Sequence, residues 1–127
     1  MANSQAMCTS FKGEILAGIH ALGTTVIRAG TGADTLKAAL YLASATVNAA
    51  TTAYSATGEV SGSGYSAGGV TVTNATAPTT SGTTGYWTPS ASFTYTTVTL
   101  TTAFDAVLVY NSTQSNKAIS VHTFGSQ

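Results

Sequence analysis

Ala106-Val-Leu-Val-Tyr110, Asn111 to Asn116, then Lys117-Ala-Ile-Ser-Val-His-Thr-Phe124 is the stretch that decides the fold. The first run is short, continuous and apolar, which predicts a central strand buried on both faces. Asn, Ser, Thr and Gln in 111–116 have the chemistry of a turn. The last run alternates, with Ile119, Val121 and Thr123 turned inward and His122 outward. Together they predict a C-terminal antiparallel hairpin.

Working back along the chain, Leu36, Ala38, Leu40 and Leu42 recur at every second position, a further strand with one apolar face. Val70-Thr-Val-Thr73 is a short strand, and Tyr86-Trp-Thr88 is one halted by Pro89. Residues 92–100, Ser-Phe-Thr-Tyr-Thr-Thr-Val-Thr-Leu, are almost wholly β-formers and predict a long strand. Residues 43–58 carry no clear period. Residues 62–69 and 74–85, rich in Gly, Ser and Thr, read as loops. The one helix signal lies near the start. Thr9 or Ser10 offers an N-cap, Glu14 suits the first turns, and Phe11, Ile15, Ile19 and Leu22 form a stripe ending at Gly23. That predicts a helix over about 10–22, docked through Phe11, Ile15 and Ile19. Seven or eight short strands broken by turns predict a mainly β fold, an antiparallel β-sandwich or jelly roll, with a short N-terminal helix. Residues 1–8 read as a flexible arm and 9–127 as one domain.

Composition narrows the function. The chain has 127 residues, of which 6% are charged, against about 25% in an ordinary globular domain. Four basic residues balance four acidic ones, and Thr, Ser and Gly supply most of the polarity. Lys12, Arg28, Lys37 and Lys117 are too few and too scattered to neutralise a phosphate backbone or an anionic membrane, so neither nucleic acid nor a membrane is an expected partner. No run of 18 apolar residues predicts a span. The N-terminal residues lack the basic and apolar regions of a signal peptide, so the two Asn-x-Thr sequons at Asn74 and Asn111 carry no expectation of glycosylation, and synthesis in a cytoplasm is expected. Cys8 stands alone and forms no intrachain disulfide.

Apparent catalytic motifs fail on context. Gly64-Tyr-Ser66-Ala-Gly68 reads as G-x-S-x-G, followed by Asp105 and His122 in hydrolase order. A nucleophile elbow needs a strand before the serine and a helix after it, whereas here loop precedes and strand follows. Gly62-Ser-Gly64-Tyr-Ser-Ala67 lacks the βαβ unit of a dinucleotide site. His20, His122 and Cys8 have no ligand spacing; His20 is expected to cap the helix C-terminus. No catalytic, metal or cofactor residue is therefore expected, and the chain is not expected to be an enzyme. The aromatic residues Tyr65, Tyr86, Trp87 and Tyr95 are the candidates for contact with another protein, with core packing the competing role for Trp87.

Cys8-Thr-Ser-Phe-Lys-Gly-Glu-Ile-Leu, Leu36-Lys-Ala-Ala-Leu-Tyr, Glu59-Val-Ser-Gly-Ser-Gly-Tyr-Ser-Ala-Gly-Gly, Ala106-Val-Leu-Val-Tyr-Asn-Ser-Thr and Asn116-Lys-Ala-Ile together resemble a family of small virion proteins of tailed bacteriophages. The resemblance covers most of the chain through individually loose motifs. It implies a capsid decoration, or cement, protein with a jelly-roll-like fold that bridges neighbouring major capsid subunits on the virion surface; because closed symmetric oligomers are the usual form of such subunits, a homo-oligomer is expected. A tail or head-fibre component, or a carbohydrate- or receptor-binding β-sandwich, are the other expectations.

Overall fold

The computed structural model describes residues 3–16, 18–23, 32–76 and 79–127. Its centre is β8 (Phe104–Asn111), paired on one side with β9 (Lys117–Thr123) and on the other with β2 (Leu36–Leu42). Strand β1 (Ala6–Met7) extends the sheet beyond β9, and β4 (Val70–Val72) extends it beyond β2. The order is β1-β9-β8-β2-β4, antiparallel throughout. Two small ladders complete the strands among the described residues: β3 (Gly62–Ser63) with β7 (Thr99–Leu100), and β5 (Thr79–Ser81) with β6 (Thr84–Tyr86). The fold is mainly antiparallel β with one short helix, as the sequence implies. Its described pairings are one five-stranded sheet and two two-stranded ladders, without the paired four-stranded sheets of a jelly roll.

Strand β8 is buried from Ala106 to Asn111, the result of neighbours on both edges and cover on both faces. Leu108 and Val121 are fully enclosed, as are Leu36, Ala38 and Ala39 on β2. Burying a Leu or Val side chain stabilises by roughly 1.5–3 kcal/mol. The β8–β9 register shifts between Val109 and Tyr110, so Ala118 and Ile119 are both buried although adjacent. Strict alternation could not predict that.

The helix α1 runs over Thr9–Leu16, shorter than the expected 10–22. Gly18, not Gly23, ends it: at φ 70° its N–H reaches Ile15 O at 3.0 Å, and Ile19 N–H reaches Glu14 O at 2.9 Å. That bond pair is a Schellman closure, which satisfies two carbonyls that a helix end leaves open. Two expectations therefore fail. Ile19 and Leu22 lie beyond the helix, and Ile15 is 43% exposed instead of docked. Phe11 is buried as expected, edge-on to the His20 ring at 4.8 Å. Glu14 sits near the C-terminal end of α1, not in its first turns.

The N-terminal arm is also tied down from Asn3 onward. The Asn3 amide donates to Leu42 O and to Asp105 Oδ2, its Oδ1 accepts Val47 N–H, and Cys8 N–H donates to Ile119 O. A two-residue strand can persist there because these bonds surround it.

Residues 92–100 form a strand only at Thr99–Leu100. A turn at Thr96–Thr97, with Thr97 at φ 53°, breaks the run. Phe93 and Tyr95 face the core while Ser92, Thr94 and Thr96 face water, yet no partner strand lies alongside among the described residues. Propensity without a pairing edge does not make a strand. The reverse occurs at 74–85, read as loop, where Thr79–Ser81 and Thr84–Tyr86 form a hairpin around Gly82 at φ 57°. A glycine in the first turn position is what a two-residue type II′ connection requires.

Candidate functional site

Charge is scarce in this chain, so the fate of each carboxylate decides what chemistry is open to it. Glu59, which precedes the Gly-rich loop, accepts the Tyr65 hydroxyl and the Gly68 N–H on Oε1 and the Tyr54 hydroxyl on Oε2, each at 2.7 Å. The loop can close on it because Gly69, at φ 75°, lies against the Ala38 carbonyl, where a Cβ would collide. Around this carboxylate Tyr54 stacks on Tyr110 at 4.7 Å and Tyr65 on Tyr95 at 6.2 Å. Burial, followed by the hydrogen bond to Glu59, pushes the Tyr54 and Tyr65 phenols well above the usual range. Burial likewise raises Tyr95 and brings Tyr41 to about 12. These phenols stay protonated and donate.

The other three carboxylates are also engaged inside the molecule. Glu14 takes His20 Nε2 at 2.7 Å and Lys117 Nζ at 2.8 Å. Asp34 takes Ala21 N–H, Asn111 Nδ2 and Gln114 Nε2. Asp105 takes Asn3 Nδ2. His20, expected to cap the helix C-terminus, is buried between Glu14 and Asn111, whose Nδ2 lies 2.9 Å from His20 Nδ1. For Glu14, burial raises the carboxyl pKa, but hydrogen bonds from Lys117 and His20 outweigh it and leave the group below its ordinary value.

No pair of free carboxylates is left for acid–base work. Ser66 lies in an exposed turn, beside a hollow of about 140 Å³ that it shares with Tyr65, Tyr95 and Val98 and that no histidine or carboxylate lines. No hydrogen bond joins Ser66 to Asp105 or His122 among the described residues; His122 Nε2 instead meets Ser120 Oγ at 3.0 Å. Burial, then the charge of Glu14, lifts the Cys8 thiol to about 11, which suppresses the thiolate. No group of three or more His, Cys, Asp or Glu among the described residues could hold a metal ion. No helix among them is long and apolar enough to cross a membrane.

The chain matches no protein-family model, no curated protein and no solved structure.

The four aromatic contact candidates separate in the structure. Tyr65 and Tyr95 are half-buried and turn their hydroxyls inward, Tyr65 to Glu59 and Leu40 N–H, Tyr95 to Ala38 O at 2.6 Å. Trp87 is half-buried against the core and donates Nε1–H to Thr76 O at 2.8 Å. Tyr86, on β6, is 45% exposed. Of the four, Tyr86 alone presents a largely free aromatic surface. Its setting is unusual: residues 60–104 contain no Asp, Glu, Lys, Arg or His. This stretch carries the hairpin β5–β6 and presents hydroxyls, backbone and the Tyr86 ring to solvent. Charge depletion with exposed aromatic area marks the centre of protein interfaces. The sequence carries that signal, but the inward role of Tyr65 and Tyr95 depends on contacts made across the fold.

Proposed function

We propose that the chain is a virion structural protein that decorates the assembled head of a tailed phage and bridges neighbouring major capsid subunits. The observation that carries this reading is the internal engagement of all four carboxylates beside an uncharged stretch, residues 60–104. Such a molecule has little to offer a substrate or a polyanion and much to offer an uncharged protein surface. The resemblance to phage decoration proteins points the same way. Bridging two subunits makes weak contacts sufficient, because the second engagement is intramolecular. The protein therefore binds assembled heads and not free capsid subunits. The test is thermal release of the genome from heads depleted of the protein, with purified protein added back. Binding with a higher release temperature supports the reading. Add-back that neither binds nor raises it removes the head role and leaves a tail or fibre role.

A further inference from the structure

We infer that the hairpin β5–β6 is a self-association element, in which β6 of one copy pairs antiparallel with β6 of a second copy across a two-fold axis at Gly85. The argument starts from the register. Thr79 pairs with Tyr86, Thr80 with Gly85, and Ser81 with Thr84 around a two-residue turn. In such a hairpin the pair flanking the turn exchanges both hydrogen bonds, so the next pair turns its N–H and C=O groups outward. Gly85 thus offers both groups to the open side of β6. No other strand occupies that side, and no further backbone bond is made by Thr84, Gly85 or Tyr86 among the described residues.

A two-stranded hairpin is marginal in water, and three or more strands are needed for independent stability. Monomeric proteins block such an edge with lysine, proline or an inward charge. Residues 81–88, Ser-Gly-Thr-Thr-Gly-Tyr-Trp-Thr, contain none of these.

A second copy fits this edge for two reasons. A two-fold contact sets the same patch against itself, so a patch of one charge would meet its like. Residues 60–104 have none, and the net charge of the chain is zero. At the axis, Gly85 facing Gly85 exchanges two N–H···O=C bonds with no Cβ in the way. The flanking positions then set Tyr86 across from Thr84, an aromatic–Thr pair of the kind that stabilises sheets. The result is a four-stranded sheet. This inference does not need the capsid role, since a fibre component would present the same edge.

Cysteine coupling tests it on the full-length chain. Backbones in a hydrogen-bonded antiparallel pair stand about 5.5 Å apart at Cα, within disulfide reach. Gly85→Cys should form a disulfide-linked dimer at least tenfold faster than Thr57→Cys, an exposed control; Cys8 is buried and does not compete. In sedimentation velocity the parent chain should sediment faster as concentration rises. Tyr86→Lys, which leaves the backbone intact, should abolish that rise. Equal coupling rates at Gly85→Cys and Thr57→Cys, or a rise unaffected by Tyr86→Lys, overturns the inference. If 79–86 amides gain exchange protection only on assembled heads, while Gly85→Cys does not self-couple, the edge belongs to a shell subunit. The second-copy inference then fails while the head role stands.

Discussion

The Tyr65 hydroxyl lies 2.7 Å from Glu59 Oε1 and 3.0 Å from Leu40 N, so one phenol joins the Gly-rich loop to the central sheet. It donates to the carboxylate and accepts from a strand amide. Tyr65→Phe keeps the ring and its stacking on Tyr95 but leaves the Leu40 N–H without its acceptor. An unsatisfied buried group costs about 1–3 kcal/mol. Urea unfolding should show a loss in that range. A loss below about 0.5 kcal/mol would mean that the loop is not held through this bond.

Ile15 and Leu108 are both apolar and both fall in periodic segments, yet they should respond oppositely. Leu108 is fully enclosed in β8, and Leu108→Ala should cost about 2–5 kcal/mol. Ile15 is 43% exposed on α1, and Ile15→Asp should change stability by no more than about 0.5 kcal/mol. Thermal or denaturant melts of the two variants check the contrast. A large loss in Ile15→Asp would place that side chain in a buried contact.

Stability should fall on acidification, with Glu14 contributing. Its folded pKa lies below the ordinary carboxyl value, so its contribution is present above that value, about pH 4.3, and is lost as pH falls through the lower folded pKa. Glu14→Gln should remove that part of the pH dependence. The comparison is the slope of unfolding free energy against pH, below pH 5, for the two proteins. Identical slopes would mean that the bonds from Lys117 and His20 do not favour the ionised carboxylate.

The sequence by itself determined the β8–β9 hairpin, β2 and β4, because apolar runs and turn residues act over a few positions and need no distant partner to be read. It also determined that this chain is poor in charge. What the sequence left open was settled by contacts between distant segments. Residues 92–98 have strand propensity but find no pairing edge among the described residues, and 79–86 find one in each other. Glycines at 18 and 23 both suit a helix end; the helix stops at Gly18, where two carbonyls are satisfied. The sequence offers Tyr65, Tyr86 and Tyr95 as contact residues, and Trp87 as contact or core, with nothing to rank the three tyrosines. Glu59 and Ala38 O draw Tyr65 and Tyr95 inward and leave Tyr86 exposed, since a buried hydroxyl or carboxylate must find its partner wherever the fold supplies one.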